Sequence, residues 1–93
     1  MDLEIHHDKE GRRFFAVIDG RKAYMTYMNN GDKVLIFDHT YVPYSLRGKS
    51  IAAKIVESAL NYARENNFKV VPGCSYVRTF INRNEQYRDL VED

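Results

Sequence analysis

Residues 33–71 constrain the fold more than any other stretch of this chain. An apolar strand from Lys33 to Val42 ends at Pro43, which cannot donate to a ladder, and a helix-periodic segment runs from Ser50 to Asn66. A second apolar run, Phe68-Lys69-Val70-Val71, follows and stops at Pro72-Gly73. Within the helical segment Ile51, Ala52, Ile55, Val56, Ala59, Leu60 and Ala63 fall on one stripe, while Lys54, Glu57, Ser58, Asn61 and Arg64 fall opposite. Strand, long helix, strand is a crossover unit, so the two strands run parallel with a right-handed connection. Their C-terminal ends then lie at one edge of the sheet, where α/β units bind ligands, and Cys74 shares a cleft with the loop after Val42.

The residues before this unit extend the sheet. Leu3-Glu4-Ile5-His6-His7 alternates as a short edge strand does, and Asp8 to Gly11 turns the chain. Phe14-Phe15-Ala16-Val17-Ile18 is an unbroken apolar run, which predicts a strand covered on both faces. Asp19-Gly20 suits the positive φ angles of a type I′ hairpin. The next strand, Lys22 to Met28, puts Ala23, Met25 and Tyr27 on one face, and Asn29-Asn30-Gly31-Asp32 turns again. After Cys74, Tyr76-Val77 and Phe80-Ile81 recur at helical spacing, and Tyr87, Leu90 and Val91 predict a last short helix. The expected fold is α+β: a four-stranded antiparallel meander, a parallel fifth strand reached through the crossover helix, and short C-terminal helices. Residues 1–93 are expected to form a single domain.

Composition narrows the function classes. A net charge of +1 with both signs mixed along the chain lacks the one-sided basic surface of a nucleic-acid or membrane binder. One cysteine cannot form an internal disulfide, and no segment has a signal-peptide pattern or membrane-spanning length, so a cytoplasmic protein, monomeric or weakly dimeric, is expected. His6 and His7 are adjacent on a strand and face opposite ways, and no spacing matches a zinc site, so no metal is expected.

The loop between the long strand and the long helix has its own chemistry. The N–H groups of a helix's first turn lack intrahelical partners, and the helix dipole places partial positive charge there. Arg47 and Lys49 flank Gly48 and add full charges. This is a recipe for seating a phosphorylated ligand.

Val42-Pro43 through Arg47-Gly48-Lys49-Ser50-Ile51-Ala52 resembles the acetyl-coenzyme A loop of the Gcn5-related N-acetyltransferases, Q/R-x-x-G-x-G/A, and the order of elements is similar to that fold. The likeness is closer to small single-domain members of the YjdJ type, through Asp38-His39-Thr40, Leu46-Arg47-Gly48, Cys74-Ser75-Tyr76 and the ending Tyr87-Arg88-Asp89-Leu90-Val91. The resemblance implies acetyl-CoA as cofactor, its diphosphate on the amides of Gly48, Lys49, Ser50 and Ile51, with Ala52 closing the motif. Arg47 and Lys49 would offset its charge, and Tyr41 and Val42 would offer strand-edge backbone groups to the pantetheine arm. Ser45 stands where the broad family has Gln or Arg, and Ser50 where it has Gly or Ala. Ile81 stands where many members carry a tyrosine that protonates the leaving thiolate.

Three residues are candidates for the chemistry. Cys74 is either a small buried hydrophobe or a thiol at the cleft, acting as acyl carrier or as the acid for the departing sulfur. His39, expected on the strand face of Phe37 and Tyr41, is either structural or the base for an attacking ammonium. Tyr76 lies beside Cys74 in sequence. The implied activity is acetyl-CoA-dependent N-acetyl transfer to an amine of a small molecule or protein; the alternative is a non-catalytic module that binds CoA or acyl-CoA.

Overall fold

The computed structural model describes residues 3–92, so the ends of the expected 1–93 unit, Met1, Asp2 and Asp93, lie outside it. Strands β1 (His6–Asp8), β2 (Arg13–Ile18), β3 (Arg21–Asn30), β4 (Val34–Tyr41) and β5 (Lys69–Pro72) form one sheet in that order. The first four pair antiparallel, and β4 pairs with β5 in parallel. Helix α1 (Ile51–Glu65) makes the crossover, and helix α2 (Ser75–Arg83) follows β5. The mixed sheet with its crossover helix is the expected α+β arrangement.

Local chemistry accounts for the joints. Asp19 and Gly20 both have positive φ, 53° and 77°, as a type I′ hairpin requires. Ser50 and Asn66 cap α1 at its two ends, and Asn67, at φ 61°, carries the left-handed residue that lets the chain turn back into β5. The stripe of α1, including Ile55, Val56, Ala59 and Leu60, is fully buried, and Phe14, Met25, Leu35 and Phe37 of the sheet belong to the same core. Each such large side chain contributes roughly 1.5–3 kcal/mol of burial energy. The C-terminal segment is tied to α1: Tyr87 Oη donates to Asn61 Oδ1 at 3.0 Å, and Arg64 makes two 2.9 Å bonds to the Asp89 carboxylate. Val91 then bridges Val70 in parallel, and the Glu92 amide donates to the Val70 carbonyl at 2.9 Å.

Four expectations change. Strand β1 begins at His6 rather than Leu3. The last short helix, Glu85–Leu90, is 3₁₀ in form. β2 is covered on one face only: Phe14, Ala16 and Ile18 are buried, but Val17 is 54% exposed. Its apolar run is unbroken because the outward residues are also apolar, although no helix lies over them. The largest change is in β4. Tyr27 pairs with Phe37 but the preceding Thr26 pairs with His39, so Asp38 is an extra residue that bulges the strand. The bulge moves the alternation out of phase. His39 therefore shares a face with Tyr24 and Tyr41, and Phe37 points to the other face, into the core.

Candidate functional site

The pairing of β4 with β5 ends at Phe37 and Pro72, while β4 runs on to Tyr41. β5 stops at that row and leaves a split beyond it, where the β5-side edge of residues 38–41 has no neighbouring strand among the described residues. A cavity of about 450 Å³ opens there. Thr40 and Val42 form one wall, Tyr76 of α2 stands on another, and Leu46, Arg47, Gly48 and the start of α1 close the end. The loop after β4 and the start of α2 thus meet at one place, as the parallel pairing requires.

The loop is braced from below and empty above. Leu46, 3% exposed, pins a 3₁₀ turn at Tyr44–Leu46, whose amides at Leu46 and Arg47 bond back to Pro43 and Tyr44 at 2.9 and 3.2 Å. The Arg21 guanidinium, from the start of β3, donates to Ser45 Oγ. Then Gly48 and Ser50 both adopt positive φ, 82° and 60°. A Cβ on Gly48 would meet nothing within 4 Å, so the glycine is there for its conformation rather than for clearance. Ser50 makes no capping bond through its side chain, and the first helical bond of α1 is Lys54 N–H to the Ser50 carbonyl, 3.1 Å. Among the described residues, no protein acceptor takes the N–H groups from Gly48 to Ala53. Two left-handed residues leading into a helix start, with free amides, suit an anion.

Arg47 lies differently from expectation. Its Nε donates to the Val42 carbonyl at 3.2 Å, and its guanidinium lies 5.6 Å from the Tyr44 ring centre. The carbonyl of Val42 is therefore taken by the protein itself. Lys49 is exposed and makes no ion pair among the described residues.

Cys74 is the residue immediately before α2, half-buried, with Sγ 3.6 Å from Thr40 Oγ1. Burial pushes its thiol up, but the Thr40 hydroxyl and the amides of Val77 and Tyr76 favour the thiolate and bring the net below the usual thiol value. Tyr76 is a half-exposed wall of the cavity, and burial raises its phenol against the opposing pull of Arg83. His39 does not join this group: the bulge turns it to the opposite face of the sheet. The sequence alone does not single out Thr40, Leu46 or Arg21. Thr40 reaches the cavity only because the bulge brings it onto the face of Phe37, and Arg21 meets Ser45 across 24 residues. Among the described residues no cluster of His, Cys, Asp and Glu could hold a metal ion, and no helix is long and apolar enough to cross a membrane.

Comparison with known proteins bears on this site. The family model described as GCN5-related N-acetyl-transferase matches residues 13–90, which include every element from β2 onward and the whole loop. The chain belongs to the GCN5-related N-acetyltransferase family. Among its relatives, Protein NATD1 of Danio rerio is 32% identical over 84 residues, covering 88% of this chain and 76% of that protein. Protein NATD1 of Homo sapiens is 27% identical over the same length. The solution structure of a GCN5-like candidate N-acetyltransferase from Staphylococcus aureus matches with a TM-score of 0.77 and 27% identity, covering 97% of this chain and 88% of that one. Acetyl transfer is the general chemistry of this family.

Proposed function

We propose that this protein is an N-acetyltransferase that takes its acetyl group from acetyl-CoA. The observation that carries the reading is the run of unpartnered amides from Gly48 to Ala53, beside the cavity lined by the end of β4, the loop, the start of α1 and Tyr76 of α2. A diphosphate would accept hydrogen bonds from Gly48, Lys49, Ser50, Ile51 and Ala52, with Lys49 offsetting charge directly and Arg47 doing so once it leaves the Val42 carbonyl. The pantetheine arm would lie along the free edge at Tyr41 and Val42, using the Val42 N–H. Its thioester would then sit between Thr40 and the Cys74–Tyr76 turn.

The chemistry follows from what lies on each side of the split. An ammonium gives one proton to His39, on the open face, and the free amine attacks the thioester carbon. The tetrahedral intermediate collapses by breaking the C–S bond. The Cys74 thiol protonates the departing sulfur, and the second proton from the new amide nitrogen restores Cys74. Tyr76 packs beside the leaving sulfur and narrows the cavity. A second reading, a module that binds CoA without transferring acetyl, draws on one observation: Ile81, where many members carry an acidic tyrosine, is 3% exposed in the core.

Thermal unfolding with CoA tests the cofactor. A ligand at a hundredfold its Kd adds about 2.7 kcal/mol, which raises Tm by roughly 10 °C or more for a domain of this size. An equal shift with ATP, or none with CoA, overturns the assignment. Thiol release with a panel of amines then separates enzyme from binder. Cys74→Ala is expected to slow release about a hundredfold, with Cys74→Ser recovering part of the loss and CoA binding unchanged in both.

A further inference from the structure

We infer that the open face of the sheet beside the split is an acceptor subsite for a cationic amine, built by Asp38 with the rings of Tyr24 and Tyr41. The inference rests on the acetyl-transfer reading above and names the substrate class of that site. The bulge in β4 places both Asp38 and His39 on the face away from α1, since Thr26, their partner on β3, lies on that face. The Asp38 carboxylate accepts from Thr26 Oγ1 at 2.7 Å, which fixes it, and it forms no ion pair among the described residues. In the adjoining row Tyr24 pairs with Tyr41, their ring centres 5.4 Å apart, and His39 tilts against Tyr24 at 6.3 Å. An unpaired carboxylate next to two aromatic faces suits an ammonium, which gains Coulomb and cation–π attraction together.

The neighbouring cations are turned away. Arg13, in the same row as Thr26, lies 3.7 Å from the Asp8 carboxylate, and the Lys22 ammonium sits 4.7 Å from the Phe15 ring centre. Arg47 and Lys49 lie at the cofactor loop. Charge on the two sides of the split is therefore divided, positive where a diphosphate would lie and negative where an amine would enter.

Gly73 packs closely against the bulge. It does not have positive φ, so no backbone conformation demands glycine there. A Cβ would instead meet the Phe37 carbonyl at 3.2 Å and Ile36 Cγ2 at 3.4 Å, with Asp38 Cα at 3.7 Å. Ile36 belongs to the open face, so a side chain at Gly73 would press on the backbone beside the bulge that sets Asp38.

The experiment is an amide NMR titration of ¹⁵N-labelled protein with CoA, and separately with butylamine and with butanol in the presence of CoA. Butylamine is expected to shift the amides of Tyr24, Thr26, Asp38, His39 and Tyr41, and butanol is not. Asp38→Asn is expected to weaken the butylamine response about fivefold and to leave CoA binding within twofold, with a dispersed spectrum reporting that it folds. Equal response to butanol, no localised response to butylamine, or an Asp38→Asn protein that binds butylamine as before would overturn the subsite. CoA that fails to move the amides from Gly48 to Ala53 would instead overturn the cofactor reading, whatever the amine does.

Discussion

The two sides of the sheet treat polar groups in opposite ways. On the β1–β2 side every ring has a partner: His7 stacks on Phe14 at 4.0 Å, meets Tyr62 of α1 edge-on at 4.5 Å, and places Nε2 2.6 Å from the Tyr27 hydroxyl. On the β4–β5 side β5 stops short of the end of β4, successive amides find no acceptor among the described residues, and a serine sits in the left-handed region. Any helix start leaves N–H groups without intrahelical partners, and here the exposed amides of Gly48 and Lys49 add to them at one corner, an arrangement suited to an anion. The first side carries stability; in the proposed reading, the second carries binding. Substitutions on each side should therefore separate the two properties.

The largest effect is expected on the closed side. Phe14, 2% exposed, touches the rings of His7, Tyr27 and Tyr62. Phe14→Ala should cost about 3–5 kcal/mol, a large share of the roughly 5–15 kcal/mol that holds a domain together. Urea denaturation measures it directly. CoA affinity of the fraction that stays folded should not change. A loss of affinity there would mean that the two sides are coupled through α1.

Gly48 provides the converse. With φ at 82° and open space where a Cβ would be, Gly48→Ala meets strain alone, about 1–2 kcal/mol. Gly31 is a matched control, with φ 74° and equally open surroundings but in the β3–β4 turn, at the other end of β4 from the loop. Both alanine variants should lose similar stability. Only Gly48→Ala should also weaken CoA binding, by about tenfold if straightening the loop loses one good hydrogen bond to a phosphate. Calorimetric titration of both variants decides whether this backbone conformation serves the ligand or only the turn.

How much of this was readable beforehand follows the same division. The hairpin at Asp19-Gly20, the helix from Ile51 to Glu65 and the parallel β5 are written in local signals, because turn chemistry and 3.6-residue periodicity act over a few residues. The position of the loop between β4 and α1 was legible for the same reason. The bulge at Asp38 was not, since Phe37-Asp38-His39-Thr40 reads as plain alternation and only the pairing with Thr26 and Tyr27 reveals the extra residue. Its consequences, His39 on the open face and Thr40 against Cys74, were hidden with it. The bond from Arg21 to Ser45 and the one from Arg47 to the Val42 carbonyl depend on folded geometry that no spacing records.

The smallest effect belongs to His7, and its sign can be worked out. Burial first, and then the charge of Lys9, disfavour the imidazolium, with Asp8 opposing, so the folded pKa lies below the ordinary 6.5. As pH falls past 6.5 the unfolded chain takes up the proton before the folded one does, and protonation draws the equilibrium toward unfolding. His7 therefore contributes its full stability above about pH 6.5 and loses it progressively as pH falls through the lower folded value, below which the loss levels off. Asp89 cannot mimic this decline: its carboxyl is held below the ordinary 3.8 by the hydrogen bond from Arg64, so it acts only in more acidic solution. Thermal melts from pH 7.5 to pH 5 should show Tm falling by a few degrees, and His7→Phe, which keeps the ring on Phe14 and removes the proton site, should flatten that slope. A slope that survives in His7→Phe would transfer the effect to another group and leave the closed side without its titrating contact. CoA binding measured over the same range should not follow the His7 slope, because the loop amides at the open side carry no proton that titrates there.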